Sequence, residues 1–153
     1  MADILAGFGG FSWAILAFIV ALSIIVTVHE YGHYIVGRWC GIKAEVFSLG
    51  FGPVLFSRHD KHGTRWQLAA LPFGGYVKFL GDANAASQPD GEAVAALSDE
   101  DAAKSMFGAA LWRRALTVLA GPVFNFVLTI IIFAVIALSR GLPVDEPKIG
   151  AIK

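Results

Sequence analysis

Two long apolar runs frame the chain. One extends from about Trp13 to Val28 and the other from about Ala115 to Leu138, and neither contains Lys, Arg, Asp or Glu. An α-helix needs roughly 20 apolar residues to cross a bilayer. The first run is therefore expected to sit in a spanning helix from about Phe11 to Arg38, ended by Gly41, and the second in another. A cleaved signal peptide would carry basic residues ahead of its apolar core. None precedes Trp13, so the first run reads as an uncleaved span.

The pattern changes between the runs. Residues 44–58 (AEVFSLGFGPVLFSR) are rich in Phe, Val and Leu and interrupted by Gly50, Gly52 and Pro53. This composition predicts a strand with bends or close backbone approaches. Asp60-Lys61-His62-Gly63 predicts a turn. Thr64–Leu71 and Gly75–Leu80 follow as further predicted strands, separated by Pro72-Phe73-Gly74. Small, polar and acidic residues from Asp82 predict a flexible linker, with Ser98 and Asp101 as a helix start. Met106, Phe107, Leu111 and Trp112 predict an amphipathic lead-in to the second span. Gly141, Pro143 and Pro147 break the helix beyond it.

The expected fold is an α-helical membrane protein. Two transmembrane helices flank a membrane-associated β-hairpin or small sheet on the cytoplasmic side. Its regions are 1–40 (first helix), 41–81 (β region), 82–104 (linker), 105–140 (lead-in and second helix) and 141–153 (the start of an extracytoplasmic segment).

Composition narrows the class. The chain has 153 residues, 56% of them hydrophobic, with 12 basic and 12 acidic side chains. That apolar content exceeds the roughly 45–50% of soluble domains, and zero net charge argues against a nucleic-acid partner. A single cysteine, Cys40, excludes an internal disulfide. Residues 1–37 hold no Lys or Arg, whereas Arg38, Arg113 and Arg114 border the spans on the side of the middle segment. The positive-inside rule then puts that segment in the cytoplasm and both termini outside. Trp13, Trp39 and Trp112 suit the headgroup level at the span boundaries.

The candidate chemistry lies in the first span. His29-Glu30-Tyr31-Gly32-His33 matches H-E-x-x-H. Residues i and i+4 share a helix face, so His29 and His33 can hold one Zn²⁺. Such a site lowers the pKa of a water it holds to roughly 7, and Glu30 is placed to take that proton and pass it to the leaving amine. Three ionisable groups inside an apolar span each cost on the order of 2–3 kcal/mol or more at the bilayer centre, which favours a metal site over a structural network. A zinc protease ordinarily has three protein ligands. The second span offers no His, Asp, Glu or Cys, and His59 and His62 read as solvent-facing turn residues.

Three ordered stretches carry a resemblance: HEYGHYIVGRWCGIKAEVFSLGFGP from His29, PFGGYVKFLGD from Pro72, and WRRALTVLAGPVFNF from Trp112. With them the chain resembles the site-2 protease family of intramembrane zinc metalloproteases. The resemblance implies Zn²⁺ on His29 and His33, and Glu30 as the catalytic glutamate. It implies substrate contacts from the β region, here Gly50, Phe51, Gly52, Gly74, Gly75 and Tyr76, which would hold an unwound substrate by edge-strand addition. Asn125 matches an asparagine after Gly-Pro, beside the active site or in an interhelical hydrogen bond. The implied substrates are single-span membrane proteins, such as anti-sigma factors and remnant signal peptides, in the bacterial inner membrane. The family's third ligand is an aspartate in a later Leu-Asp-Gly motif that this chain lacks, and Pro147–Gly150 resembles the beginning of a PDZ domain. The chain is therefore expected to be inactive alone. The alternative is a non-catalytic membrane-embedded binding module, separated from a protease by stoichiometric zinc that depends on His29 and His33.

Overall fold

The computed structural model describes residues 2–84, 88 and 90–141. The expectation for a PDZ-like start falls on residues 142–153, outside the described residues. Helix α1 covers Ala2–Trp39 and helix α4 covers Leu111–Arg140. Within them, Gly10–Trp39 and Leu111–Arg140 are long and apolar enough to cross a membrane. The first helix begins before the apolar run, because Ala2–Gly9 contains no proline and continues the helix into the run.

Helix α1 stops where the sequence predicts. Gly41 has φ +79°, a left-handed conformation that costs other residues about 1–2 kcal/mol. Its N–H donates to the Arg38 carbonyl at 3.0 Å, and the Ile42 N–H donates to the Gly37 carbonyl at 2.9 Å. This is a Schellman motif, and it turns the buried Ile42 into the core.

Strands β1 (Ala44–His59) and β2 (Arg65–Phe79) form one antiparallel pair. The sequence predicted separate strands either side of Pro72-Phe73-Gly74, but β2 runs through all three. Both strands fold back across bulges, so the pair makes a wider surface than a simple hairpin. Residues 46–49 each have two partners. Val46, Phe47, Ser48 and Leu49 face Lys78, Val77, Tyr76 and Gly75 on one side, and Arg65, Trp66, Gln67 and Leu68 on the other. The second set climbs in step with the first, so there the segments run in the same sense. The far half of β1 pairs with the start of β2 up to His59–Arg65.

The core lies where the end of α1 meets one face of this sheet. Tyr34 and Ile42 pack with Ala44, Phe47, Val77, Phe79, Met106 and Ala109. Phe47 stacks edge-on to Tyr34 with centroids 5.7 Å apart, and lies 4.3 Å from the Trp66 ring. The outer half of the sheet has no such cover: Phe51, Val54, Leu55, Phe56, Leu68, Leu71 and Phe73 are exposed.

The segment read as a linker is partly folded. Short helices occupy Gly91–Ala95 (α2) and Asp99–Lys104 (α3). Ser98 caps α3 by accepting from the Asp101 N–H at 3.2 Å. The predicted lead-in begins with a non-helical stretch over residues 105–110, ahead of α4. Met106 and Ala109 are core residues, tied in by the Met106 N–H to the Leu80 carbonyl at 3.0 Å. Their apolar character serves packing against the sheet.

Candidate metal centre

Small residues let α1 and α4 approach closely. A Cβ on Gly32 would stand 2.7 Å from the Ala120 carbonyl oxygen, and one on Gly37 would stand 3.1 Å from the Thr117 methyl group. Ala120 and Gly121 are buried in this crossing. Pro122 lies inside α4, where it leaves the carbonyl four residues earlier without its helical donor.

His29 and His33 face α4 from successive turns of α1. Their rings are 4.7 Å apart between centroids and inclined at 82°. The His33 Nδ1 lies 2.7 Å from the Thr117 carbonyl oxygen. A carbonyl only accepts, so Nδ1 carries a proton, and in the neutral ring Nε2 then has the lone pair. The His29 Nδ1 lies 3.2 Å from the Asn125 carboxamide nitrogen.

The two Nε2 atoms converge on Gly121. A Cβ there would stand 2.7 Å from the His29 Nε2 and would also collide with the His33 Nε2 and Cε1. The space is clear only because residue 121 has no side chain. Two imidazole nitrogens directed into one side-chain-free space, within a low-polarity helix crossing, suit Zn²⁺ when the rings are neutral. His29 and His33 would hold it. Among the described residues, no group of three His, Cys, Asp or Glu side chains closes on one point.

Glu30 points toward the sheet. The Val77 backbone N–H lies on the side its carboxylate faces. Gly75 makes the approach tight: a Cβ there would lie 3.5 Å from the Glu30 Cγ, 3.6 Å from a Val26 methyl group and 2.6 Å from the Ser48 carbonyl oxygen. One turn farther back, the Ser23 hydroxyl donates to the Pro72 carbonyl at 3.0 Å. The 75–78 segment finds its strand partners in 46–49, so its other edge is the one facing Glu30.

The remaining residues singled out in the sequence divide by position. Gly75 and Asn125 lie at the centre. Tyr76 pairs with Ser48 and stacks on Phe51 at 6.0 Å. Gly74 takes φ +147° with the Phe51 ring against it. Gly50 and Gly52, both at positive φ, form the bend where β1 turns from the core toward its exposed half. An open groove of about 300 Å³ lies beside His29, lined by Pro122, Asn125, Phe126 and Thr129.

His59 and His62 lie at the hairpin turn, where His62 contacts Arg38. Asp60 organises that turn. Burial alone would raise its pKa, but the His62 N–H, Tyr34 hydroxyl, Thr64 N–H and Trp66 indole N–H all donate to its carboxylate, and together they hold it down to about 2. Sequence reasoning did not single out Gly121, Thr117 or Val77. Gly121 entered only as part of the Gly-Pro ahead of Asn125, and the other two contribute backbone atoms, which no residue type advertises.

The model for peptidase family M50 matches residues 17–152. "Putative zinc metalloprotease Atu1380" of Agrobacterium fabrum is 49% identical over 153 residues, which is 100% of this chain and 41% of that protein. Metalloprotease MmpA of Caulobacter vibrioides is 42% identical over 151 residues, covering 94% of this chain and 38% of that one. Protease RseP of Yersinia pestis is 41% identical over 140 residues, covering 92% and 29% respectively. The chain thus spans about two fifths of the length of the first of these relatives. With the family match running through both long helices, the sheet and the paired imidazoles, the chain belongs to peptidase family M50, the site-2 protease family.

Proposed function

We propose that this chain forms the first part of an integral membrane zinc endopeptidase that cleaves single-span membrane proteins within the bilayer. The observation that carries the reading is the convergence of the His29 and His33 Nε2 atoms on the space left open by Gly121. When bound there, zinc supplies Lewis acidity toward a scissile carbonyl and toward water. Glu30 is the general base and then the general acid: it accepts a proton from the attacking water and returns it to the leaving amine.

The outer edge of residues 75–78 is where an unwound substrate segment adds as a further strand. A peptide bond inside a helix is shielded by its own hydrogen bonds, so cleavage needs the extended form. Gly75 lets that backbone pass close to Glu30. The bends at Gly50, Gly52 and Gly74 shape the sheet, and Phe51 and Tyr76 present apolar rings to it. The exposed apolar half of the sheet enters the bilayer from the cytoplasmic side, with both termini of this chain on the far side. The third zinc ligand comes from a later part of the protein, and this chain does not cleave by itself.

The experiment is Glu30→Gln in the purified full-length protein, assayed on a model transmembrane substrate. Zinc content and fold are expected to persist while cleavage is lost. Cleavage at the normal rate in that variant would remove Glu30 from the mechanism. Absence of histidine-dependent zinc from the unaltered protein would favour a binding module instead.

A further inference from the structure

Helix α4 contains no His, Asp, Glu or Cys, yet among the described residues the polar groups that meet the two imidazoles from outside α1, the Thr117 carbonyl and the Asn125 carboxamide, belong to it. Thr117, Gly121 and Asn125 recur at four-residue steps and therefore share one helix face. Thr117 and Gly121 are buried.

We propose that this face of α4 is the supporting shell of the metal centre, with Asn125 as the positioning residue for His29. The inference rests on the metal reading above. An imidazole that binds a metal through Nε2 must carry its proton on Nδ1, and that proton needs an acceptor. His33 has one in the Thr117 carbonyl, 2.7 Å away. Among the described residues, His29 has the Asn125 carboxamide, whose nitrogen stands 3.2 Å from Nδ1. An NH₂ group donating to Nδ1 would force the proton onto Nε2 and abolish ligation. It also leaves the Asn125 Oδ1 buried without a partner, at a cost of about 1–3 kcal/mol.

A half-turn of the carboxamide resolves both problems. Oδ1 then accepts from the His29 Nδ1–H, and the Nε2 lone pair is free. In this arrangement α4 fixes the same tautomer in both rings, by a backbone carbonyl on one side of Gly121 and a side-chain amide on the other. Gly121 keeps the space between them open. An interhelical hydrogen bond alone would need neither the tautomer match nor the missing side chain between the two contacts.

The test uses the purified full-length protein and zinc itself, with affinity measured by competition against a chromophoric chelator. Asn125→Leu, similar in size but without an acceptor, is expected to weaken zinc binding by about 10- to 100-fold. Asn125→Asp keeps an acceptor for Nδ1–H and is expected to bind zinc at least as tightly as the unaltered protein. Gly121→Ala, which favours the helix, is expected to lose at least tenfold in affinity while staying folded. Substitution of Co²⁺ gives a second readout: its visible ligand-field bands should be retained in Asn125→Asp and altered in Asn125→Leu.

A purely structural asparagine would lower the melting temperature of Asn125→Leu and leave the zinc affinity of the folded protein unchanged. That result overturns the proposal, as does wild-type affinity in Gly121→Ala. If Asn125→Leu fails to fold, Asn125→Asp and Gly121→Ala decide: weak binding by Asn125→Asp overturns the role of Oδ1. His29→Ala and His33→Ala separate this outcome from failure of the metal reading. Should they retain the zinc of the unaltered protein, the site itself is wrong. Should they lose it while the α4 variants do not, only the supporting role of α4 falls.

Discussion

The Tyr34 hydroxyl donates to the Asp60 Oδ2 across 2.9 Å, so the residue after the second metal-facing imidazole is tied directly to the hairpin turn. The same oxygen accepts from the Trp66 indole N–H at 3.2 Å, while Oδ1 takes the His62 and Thr64 N–H groups at 2.8 and 3.0 Å. One carboxylate thus locks the turn internally and fastens it to α1. Tyr34→Phe is expected to lower stability by about 1 kcal/mol. Asp60→Asn should cost more, because it weakens all four bonds. Thermal melts of the two variants and of the double variant will show a coupling between them, whereas simple additivity would mean the contact carries no energy.

The same carboxylate makes stability depend on acid. Its pKa falls from 3.8 to about 2 on folding. A carboxyl depressed in this way contributes fully above the unfolded value and loses its contribution as pH drops through the folded one. The unaltered protein should therefore lose stability between about pH 4 and pH 2, and Asp60→Asn should show a shallower decline across that window. Identical slopes would assign the acid sensitivity to other groups.

Zinc should follow the histidines. His29→Ala and His33→Ala are each expected to abolish stoichiometric zinc in the full-length protein, measured by metal analysis after dialysis. Chelation should stop cleavage by the unaltered protein, and added Zn²⁺ should restore it. Cleavage that survives exhaustive chelation would rule out a metalloprotease.

Burial separates two otherwise similar sites on β1. Phe47 is 1% exposed and packs on Tyr34 and Trp66, so Phe47→Ala should cost about 3–5 kcal/mol. Leu55, on the same strand, is 68% exposed. Leu55→Ala should change stability in detergent by no more than about 0.5 kcal/mol yet weaken the association of the sheet with lipid vesicles. Equal destabilisation by the two would mean that the exposed half packs against protein.

The stop of α1 can be tested at its glycine. Gly41 stands at φ +79° with its N–H bonded to the Arg38 carbonyl. Gly41→Ala is expected to cost about 1–2 kcal/mol and to lower the melting temperature without changing zinc content. No loss would mean that the helix end rearranges freely.

Long-period features were readable along the chain because they depend on neighbouring residues alone. An unbroken apolar run specifies a helix, the turn chemistry of Asp60–Gly63 specifies a reversal, and the spacing of His29 and His33 puts two imidazoles on one face. Where such local signals compete with tertiary packing, they failed. Pro72-Phe73-Gly74 looked like a break, but its backbone continues β2 beside α1 and receives the Ser23 hydroxyl. Residues 91–97 read as linker, yet α2 forms over Gly91–Ala95, with the Val94 N–H donating to the Asp90 carbonyl at 2.8 Å.

The sequence by itself determined two apolar helices, a strand-forming middle and the identity of the two imidazoles and the carboxylate at the candidate site. Tertiary structure alone decided which backbone atoms complete the site. The Thr117 carbonyl, the Val77 N–H and the empty face of Gly121 are common to almost any residue or to none. They acquire a role only when packing brings α4 and β2 against His29, Glu30 and His33.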